Sequence, residues 1–280
     1  MITGEKLQKI LARGGYGSRR EIERLIEQGL VQLNGRTAQL GDRAVETDRI
    51  QVRGTTIKQT RLVKQPTEVI LYNKPEGLVC TRNDEKARDT IFDELPRIVN
   101  GRWITIGRLD INTSGLLLLT NNGELANRLM HPSFEVEREY AVRVFGEVAD
   151  EVLTNLRQGV MLEDGLAKFD HVSKLPSDED AQNQWFRVVL KEGRYREVRR
   201  LWESQGVQVS RLMRVRYGEF SLPRNLRRGK TQALTWQQVN SLLKSVDLPQ
   251  EARPDLRGQV KVKSTDKKTP IPTNSRRRRF

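Results

Sequence analysis

Two short apolar runs, at 103–106 and 116–119, constrain the fold of this chain most, because a single polar turn separates them. Apolar runs of this length that are bounded by turn residues are typical of buried β-strands. The turn carries one carboxylate, Asp110, two residues after Arg108. A carboxylate at the mouth of two buried strands is costly to desolvate, so it needs a partner or a function. Two interpretations stay open: Asp110 caps the turn, or it is a functional group.

The charge balance indicates a polyanionic partner. The 280 residues include 50 Lys and Arg against 36 Asp and Glu, a net charge of +14. Of this excess, +4 lies in residues 1–60 and +7 in residues 251–280, so the segment between them is nearly balanced. No apolar run reaches the length of a membrane span, which favours nucleic acid over a membrane as the partner. The alternative is that the excess charge serves solubility alone.

Cysteine and histidine usage excludes several classes of protein. The single cysteine, Cys80, rules out an internal disulfide and fits a reducing compartment. One Cys and two His residues are too few for a structural zinc site, so we expect no metal. The chain has no GxGxxG or Walker A pattern, which argues against dinucleotide and NTP binding. Its first residues are polar where a signal peptide would be apolar, so we expect a cytoplasmic protein. Without heptads or an extended apolar face, we expect a monomer.

The first sixty residues predict a compact basic module. Leu7, Ile10 and Leu11 have the spacing of a short amphipathic helix, and Ser18-Arg-Arg-Glu21 is a capping box that begins a second helix. Asn34-Gly35 predicts a hairpin turn. The side chains near the helix junction that we predict to contact RNA are Lys6, Lys9, Arg13, Ser18, Arg19 and Arg20. A module used only for dimerisation or scaffolding is the alternative.

The rest of the chain predicts an α+β fold. Many β-rich segments alternate with a few helices, which favours a largely antiparallel sheet. Pro and charged residues without periodicity mark a linker and a disordered basic tail that helps to hold RNA. The predicted segments are a module at 1–62, a linker at 63–68, a larger domain at 69–250 and the tail at 251–280. Within the larger domain, 78–81 is predicted as a strand and 90–95 as a short helix.

Two further segments carry candidate functional side chains. Alternation from Glu137 to Phe145 places Tyr140 on one face with Val142 and Val144, where an ordinary core tyrosine is the alternative interpretation. The segment from Glu192 to Trp202 predicts a turn followed by a helix. Arg199 flanks the buried face of this helix and is the arginine there best placed to reach an interior carboxylate.

The residues that remain for chemistry are a carboxylate, an arginine and a tyrosine on an RNA-binding chain. A carboxylate can act as a nucleophile if it stays ionised and dry. A nearby arginine lowers its pKa and fixes its orientation. Enzymes that act on a base in structured RNA take the base out of the stack, which calls for an aromatic or arginine platform.

Two resemblances to known families sharpen this picture. The segment KLQKILARGGYGSRREIERLIEQGLVQLNG resembles the S4 RNA-binding domain over nearly all of residues 3–60, which implies binding of structured RNA by shape and backbone. The motifs NKPEG, GRLDINTSGLLLLTNNGELANRLMHP, EREYAVRV and EGRYREVRRLWE occur in that order. Together they resemble the RsuA/RluB family of bacterial rRNA pseudouridine synthases, over roughly residues 1–250.

The second resemblance implies a reaction and a set of site residues. The reaction is the isomerisation of uridine to pseudouridine by base flipping, with no cofactor and no metal. The resemblance implies that Asp110 is the catalytic aspartate, that Tyr140 stacks on the base, and that Arg199 pairs with the aspartate. It further implies that Arg108 assists flipping by filling the vacated space. We also expect Lys74, in the NKPEG motif, to contact RNA.

The resemblance is strongest to members that modify large-subunit (23S) rRNA in the peptidyl-transferase region, so 23S rRNA or an assembling ribosomal subunit is the expected partner. Three alternatives remain at this point. The enzyme acts on another rRNA uridine, in 16S or 23S rRNA, or the chain is a non-catalytic rRNA-binding assembly factor. A uridine methyltransferase would need a reactive Cys and a glycine-rich cofactor loop, and neither is visible in the sequence.

Overall fold

The computed structural model describes residues 4–82, 84–98, 100–176 and 182–253. Within them the fold is α+β, as predicted. The helices are α1 (Leu7–Arg13), α2 (Arg19–Glu27), α3 (Gly123–Met130), α4 (Asp150–Gln158), α5 (Glu197–Glu203) and α6 (Trp236–Ser245). Short 3-10 helices lie at Gln59–Arg61, Ile91–Asp93 and Pro132–Phe134.

The N-terminal module, residues 5–62, packs two helices against short strands. The strands are β1 (Glu5–Lys6), β2 (Val31–Leu33), β3 (Arg36–Thr37), β4 (Arg43–Ala44), β5 (Ile50–Val52) and β6 (Thr55–Thr56). Four of them form a sheet in the order β3-β2-β5-β6, while β1 pairs with β4. The predicted capping box is confirmed, because the Glu21 N–H donates to Ser18 Oγ and the Ser18 N–H donates to the Glu21 carboxylate. A core of its own, which includes Leu7, Ile22 and Leu62, stabilises the module.

The body, from Val69 onwards, is built on a nine-stranded sheet. The strands of the body are β7 (Val69–Lys74), β8 (Ile104–Ile106), β9 (Ser114–Thr120), β10 (Arg138–Phe145), β11 (Val160–Leu162), β12 (Gly165–Ala167), β13 (His171–Lys174), β14 (Asn183–Leu190), β15 (Val209–Tyr217), β16 (Phe220–Ser221) and β17 (Thr231–Ala233). The main order is β13-β14-β10-β15-β9-β7-β17, with β8 beside β9 and β16 beside β15. All these pairs are antiparallel except β15 with β9, which confirms the largely antiparallel sheet. The remaining strands, β11 and β12, form a separate hairpin.

Strand β9 lies at the centre of the body and is buried along its whole length. Leu116 and Leu118 face one core, which includes side chains of α3 and α6. Leu117 and Leu119 face the other, with Trp103. A strand that is covered on both faces reads as a continuous apolar run, which is why the sequence shows no alternation here. The two apolar runs form strands as predicted, β8 and β9, and their antiparallel pairing places the Asp110 turn at the end of a hairpin.

Helix α5 belongs to a third core, on the part of the sheet formed by β10, β14 and β15. Val198, Leu201 and Trp202 are buried there, as the helical spacing predicts. Burying side chains of this size stabilises the fold by about 1.5–3 kcal/mol each, so the helix is held firmly against the sheet. This position brings the side chain of Arg199 towards the turn that contains Asp110.

The structure differs from the sequence prediction in three places. The predicted strand at 78–81 forms only an isolated bridge, between Val79 and Thr90, and the predicted helix at 90–95 is a single 3-10 turn, Ile91–Asp93. Glu251, which we assigned to a disordered tail, is fixed to the body instead. Its carboxylate accepts hydrogen bonds from Thr67, and its carbonyl oxygen accepts one from the Trp236 indole. The rest of the predicted tail, 254–280, lies outside the described residues.

In the described part of the chain, every helix is too short or too polar to cross a membrane.

Candidate active site

The turn between β8 and β9 is closed by its own backbone. The Thr113 N–H donates to the Asp110 carbonyl oxygen at 3.0 Å. Gly107 opens the turn with a φ of +76°, a conformation that favours glycine. Across residues 4–82, 84–98, 100–176 and 182–253, no hydrogen bond or ion pair within 4 Å reaches the half-buried Asp110 carboxylate. The turn therefore does not need this side chain as a cap, and the carboxylate is left available for chemistry.

Lys74, at the end of β7, holds the backbone of the Asp110 turn through hydrogen bonds. The side chain is fully buried, and its ammonium donates to the carbonyl oxygens of Pro75 at 2.9 Å, Asp110 at 3.1 Å and Thr113 at 2.9 Å. An ammonium has three donors, so none is left for a phosphate. Burial lowers the pKa of Lys74, and the negative charge of Asp110 partly opposes that effect. This placement does not support the prediction that Lys74 contacts RNA; the residue fixes the backbone of the turn instead.

Arg199, on α5, holds the same turn from the other side. Its guanidinium donates to the carbonyl oxygen of Asn112 at 2.9 Å and to that of Val209 at 3.1 Å. The side chain is 7% exposed, and burial lowers its pKa, followed by the charge of Arg196, while Asp110 opposes the shift. Within the described ranges, no ion pair within 4 Å joins Arg199 to Asp110. The structure therefore does not show the predicted pairing of Arg199 with the Asp110 carboxylate among the described residues; the arginine donates to the backbone of the turn instead.

Arg214, on β15, is a site residue that the sequence analysis did not single out. The side chain is 2% exposed, donates from Nε to the Leu116 carbonyl oxygen at 2.8 Å, and lies 4.9 Å from the centre of the Tyr217 ring. One terminal nitrogen is buried without a partner among the described residues. The other lies close to Gly107, where the turn begins. Alternation along β15 puts Arg214 on the same face as buried Leu212, and this is the sequence signal that could have revealed it.

Tyr140 and Arg108 complete the surroundings of the turn. Tyr140 is half-buried on β10 and packs against two cores, one of which contains Leu109, the neighbour of Asp110. Val142 and Val144 lie in the core as the alternation predicted. Arg108 is exposed on the turn itself. Arg108 and Arg199 thus lie at the Asp110 turn, and Tyr140 packs against the core that contains the neighbouring Leu109.

The residues of the N-terminal module that we predicted to contact RNA fall into two groups. Lys6, Arg19 and Arg20 are exposed. The others have partners within the module: Lys9 pairs with Glu5 at 3.0 Å, Arg13 pairs with Glu5 and donates to the Leu62 carbonyl oxygen, and the Ser18 hydroxyl caps α2. The first group is therefore free to meet a phosphate, whereas the second mainly stabilises the module.

The site combines several fixed cations with one carboxylate that has no hydrogen-bond or ion-pair partner among the described residues. Lys74, Arg199 and Arg214 donate to backbone carbonyl oxygens on both sides of Asp110, so fixed positive charges lie beside the turn. No group of three or more His, Cys, Asp or Glu side chains is arranged to hold a metal ion in the parts of the chain that the structure describes. The arrangement is suited to carboxylate chemistry on a substrate that approaches from the exposed side of the turn.

Comparison with known proteins gives consistent matches. Residues 68–204 match the family model for RNA pseudouridylate synthase, and residues 5–50 match the S4 domain. The Haemophilus influenzae protein named ribosomal large subunit pseudouridine synthase B is 55% identical over 90% of this chain and 71% of its own length. The Escherichia coli K12 protein of the same name is 56% identical over 88% of this chain and 85% of its own length.

A solved structure agrees at the level of the fold. The crystal structure of a pseudouridylate synthase superposes on this chain with a TM-score of 0.59 and 24% sequence identity, covering 85% of this chain and all of that one. The sequence identity to the two bacterial proteins, over most of their length, establishes the relationship directly. With an S4 domain at its N-terminus and the synthase fold in its body, the chain belongs to the RNA pseudouridylate synthase family.

Proposed function

We propose that this enzyme converts a uridine of the large-subunit (23S) rRNA to pseudouridine, and that Asp110 is its catalytic carboxylate. The observation that carries the assignment of the residue is the unpaired Asp110 carboxylate on a turn that Lys74 and Arg199 hold by its backbone. The choice of rRNA rests on the two relatives above, whose names specify the large ribosomal subunit. A monomer that acts in the cytoplasm, on free 23S rRNA or an assembling subunit, fits this proposal.

The reaction is balanced without a second substrate. The bond between N1 of uracil and C1′ of ribose breaks, the base turns, and a bond from C5 to C1′ forms. The C5 proton leaves and N1 gains a proton, so that no atom is gained or lost overall. An ionised carboxylate fits three roles in this sequence: attack on C1′, addition to the base, or removal of the C5 proton. We assign base stacking to Tyr140 and the filling of the vacated stack to Arg108.

The direct test is Asp110→Asn. The substitution keeps the size of the side chain and removes its charge, so RNA binding should persist while pseudouridine formation is lost. The measurement is pseudouridine mapping of 16S and 23S rRNA from a strain without the gene, complemented with wild type or variant. Asp170→Asn, which removes an exposed carboxylate elsewhere on the body, is the matched control and should restore modification. Modification restored by Asp110→Asn would exclude this carboxylate, and a target in 16S rRNA would exclude the proposed substrate.

A second test addresses how Arg199 acts. Arg199→Ala removes two hydrogen bonds to backbone carbonyls, one of them in the Asp110 turn, and should lower turnover by about 100-fold with little change in RNA affinity. Arg200→Ala removes an arginine from the same helix that pairs with Asp164 instead, and should leave turnover near the wild-type value. Single-turnover kinetics and filter binding separate the two effects. If only RNA affinity falls in Arg199→Ala, Arg199 contacts phosphate and does not position the turn.

A further inference from the structure

Three arginines meet where the N-terminal module touches the body. Arg19 is the first residue of α2, Arg82 follows β7, and Arg102 immediately precedes Trp103 and β8. Arg102 is half-buried, and burial lowers its pKa, with a further contribution from the charge of Arg19. The pKa of Arg82 is likewise lowered, by partial burial and then by the charge of Arg102. Arg102 therefore lies within electrostatic range of both Arg19 and Arg82, and the three residues are called the junction arginines below.

The carboxylate that could neutralise the junction arginines already has a hydrogen-bond partner. Glu21 is the carboxylate that acts on Arg82 and Arg102. Its oxygen accepts the Ser18 N–H at 2.9 Å as part of the capping box, and the Ser18 amide is the main cause of its lowered pKa. Glu21, which is committed to capping a helix, is thus the carboxylate that acts on both Arg82 and Arg102, and Arg24 also draws on its charge. Arg102 Nε is buried and has no hydrogen-bond partner among the described residues. Such a cluster is costly unless an anion joins it.

The surrounding structure holds Arg82 in place and brings the backbone of the module close to Arg102. Arg82 donates to the Trp103 carbonyl oxygen at 2.7 Å and lies 4.0 Å from the centre of the Phe92 ring. The backbone of the module meets the body directly, because a Cβ at Gly15 would lie 2.8 Å from the Gly101 carbonyl oxygen. Both glycines have positive φ, +86° and +131°, so this close contact depends on their lack of a side chain. Arg19 and Arg82 are exposed, and the cluster opens to solvent on their side.

We propose that Arg82 and Arg102 of the body, together with Arg19 of the N-terminal module, bind one backbone phosphate of the substrate RNA. This site deepens the proposed function and rests on it for the identity of the ligand as RNA. A phosphate supplies the missing negative charge and enough acceptor oxygens for guanidinium groups, including the unpartnered donor of Arg102. The site lies on both structural units, so that a single phosphate would bind them together.

The site is within reach of the catalytic turn. Six residues lead from Arg102 through β8 to Arg108, which spans at most about 20 Å of extended chain. An RNA that places a uridine at Asp110 can therefore lay its backbone across the junction arginines a few nucleotides away. A phosphate contact carries no sequence information, so its role is to set the position of the RNA relative to Asp110.

The test measures binding of an unmodified full-length 23S rRNA transcript over a range of salt concentrations. Arg102→Gln and Arg19→Ala should each weaken binding by about tenfold and reduce the slope of log K against log salt by about one. Arg102→Lys keeps the positive charge, so its slope of log K against log salt should be close to that of wild type. Arg49→Ala, an exposed arginine of the module at the end of its hairpin, is the control and should match wild type. An unchanged slope in both Arg102→Gln and Arg19→Ala would overturn the proposal.

Two further readouts separate this proposal from its alternatives. If Arg102→Gln loses its thermal transition, exposed Arg19→Ala carries the test alone. Conversion of the transcript to pseudouridine by wild type tests the proposed function independently. If binding shows the predicted dependence on the arginines but the wild-type protein forms no pseudouridine, the phosphate site is retained and the proposed function is rejected. A wild type that modifies the transcript, with variants that bind normally, rejects the phosphate site alone.

Discussion

Two of the turns that join antiparallel strands in this molecule are held in different ways. The turn at Asn34-Gly35, between β2 and β3, is exposed and uses its own side chain, with the Asn34 amide donating to Asp48 at 3.0 Å. The turn around Asp110, between β8 and β9, is enclosed. Buried cations from distant elements, Lys74 and Arg199, donate to its carbonyl oxygens.

The difference shows what makes one turn a reactive site. In the exposed turn, the Asn34 side chain stabilises the fold, and its amide is occupied by the hydrogen bonds that do so. In the enclosed turn, side chains from other elements hold the backbone, so the Asp110 carboxylate is not needed for that role. This arrangement requires buried charges, each of which is costly to desolvate unless its hydrogen bonds are made. The enclosed turn should therefore tolerate substitution far less well than the exposed one.

The largest effect is expected from adding one methyl group beside the enclosed turn. A Cβ at Gly115 would lie 2.2 Å from the Arg214 carbonyl oxygen and 2.9 Å from its backbone nitrogen, at a φ of +102°. Gly115→Ala should therefore reduce the free energy of unfolding by more than about 3 kcal/mol, because both strain and overlap with backbone contribute. Urea denaturation measures the loss.

The matched control is Gly35→Ala in the exposed turn. Its φ is +87°, but no atom lies within 4 Å of the added Cβ, so strain alone acts and the loss should be about 1 kcal/mol. Equal losses in the two variants would show that the close approach of β15 to β9 is not rigid, and the contrast between the turns would fail.

A somewhat smaller loss is expected from Lys74→Met. The change removes the ammonium and leaves the Asp110 and Thr113 carbonyl oxygens without that donor, at a cost of about 3 kcal/mol in the free energy of unfolding. Turnover should fall with it, since Asp110 is no longer fixed. Lys58→Met replaces an exposed lysine in the N-terminal module and should change stability by less than about 0.5 kcal/mol. Normal turnover in Lys74→Met would show that the turn keeps its geometry without the lysine.

The same contrast explains how much could be predicted from the sequence. Local chemistry was sufficient for the capping box at Ser18 and for the two buried strands around Asp110, because each depends on residues a few positions apart. Motif resemblance identified the reaction and singled out Asp110. Arg199 was predicted to pair with the Asp110 carboxylate, but it donates to the carbonyl oxygen of Asn112 instead.

The supports of the turn could not be predicted in this way. Lys74 and Asp110 are 36 residues apart, Arg199 and Asn112 are 87 apart, and Arg214 and Leu116 are 98 apart. Lys74 lies in a polar motif, and Arg214 lies in a strand that carries three arginines. Both therefore look like surface residues until the sheet order is known. That order puts β15 beside β9 as a parallel pair, and local patterns do not encode it.

The smallest effect is expected at an exposed ion pair of the N-terminal module. Arg36 donates two hydrogen bonds to the Asp42 carboxylate, at 2.9 and 3.0 Å, and lowers its pKa, with a further contribution from the Gln39 amide. Because the pKa is lowered in the folded state, the pair stabilises the module above the ordinary value of 3.8 and loses this effect as the pH falls further. In Arg36→Ala, an NMR titration should show the Asp42 pKa closer to 3.8, with a slightly lower thermal midpoint at neutral pH. An Asp42 pKa that does not move would mean that the Gln39 amide, and not Arg36, holds the carboxylate in its charged form.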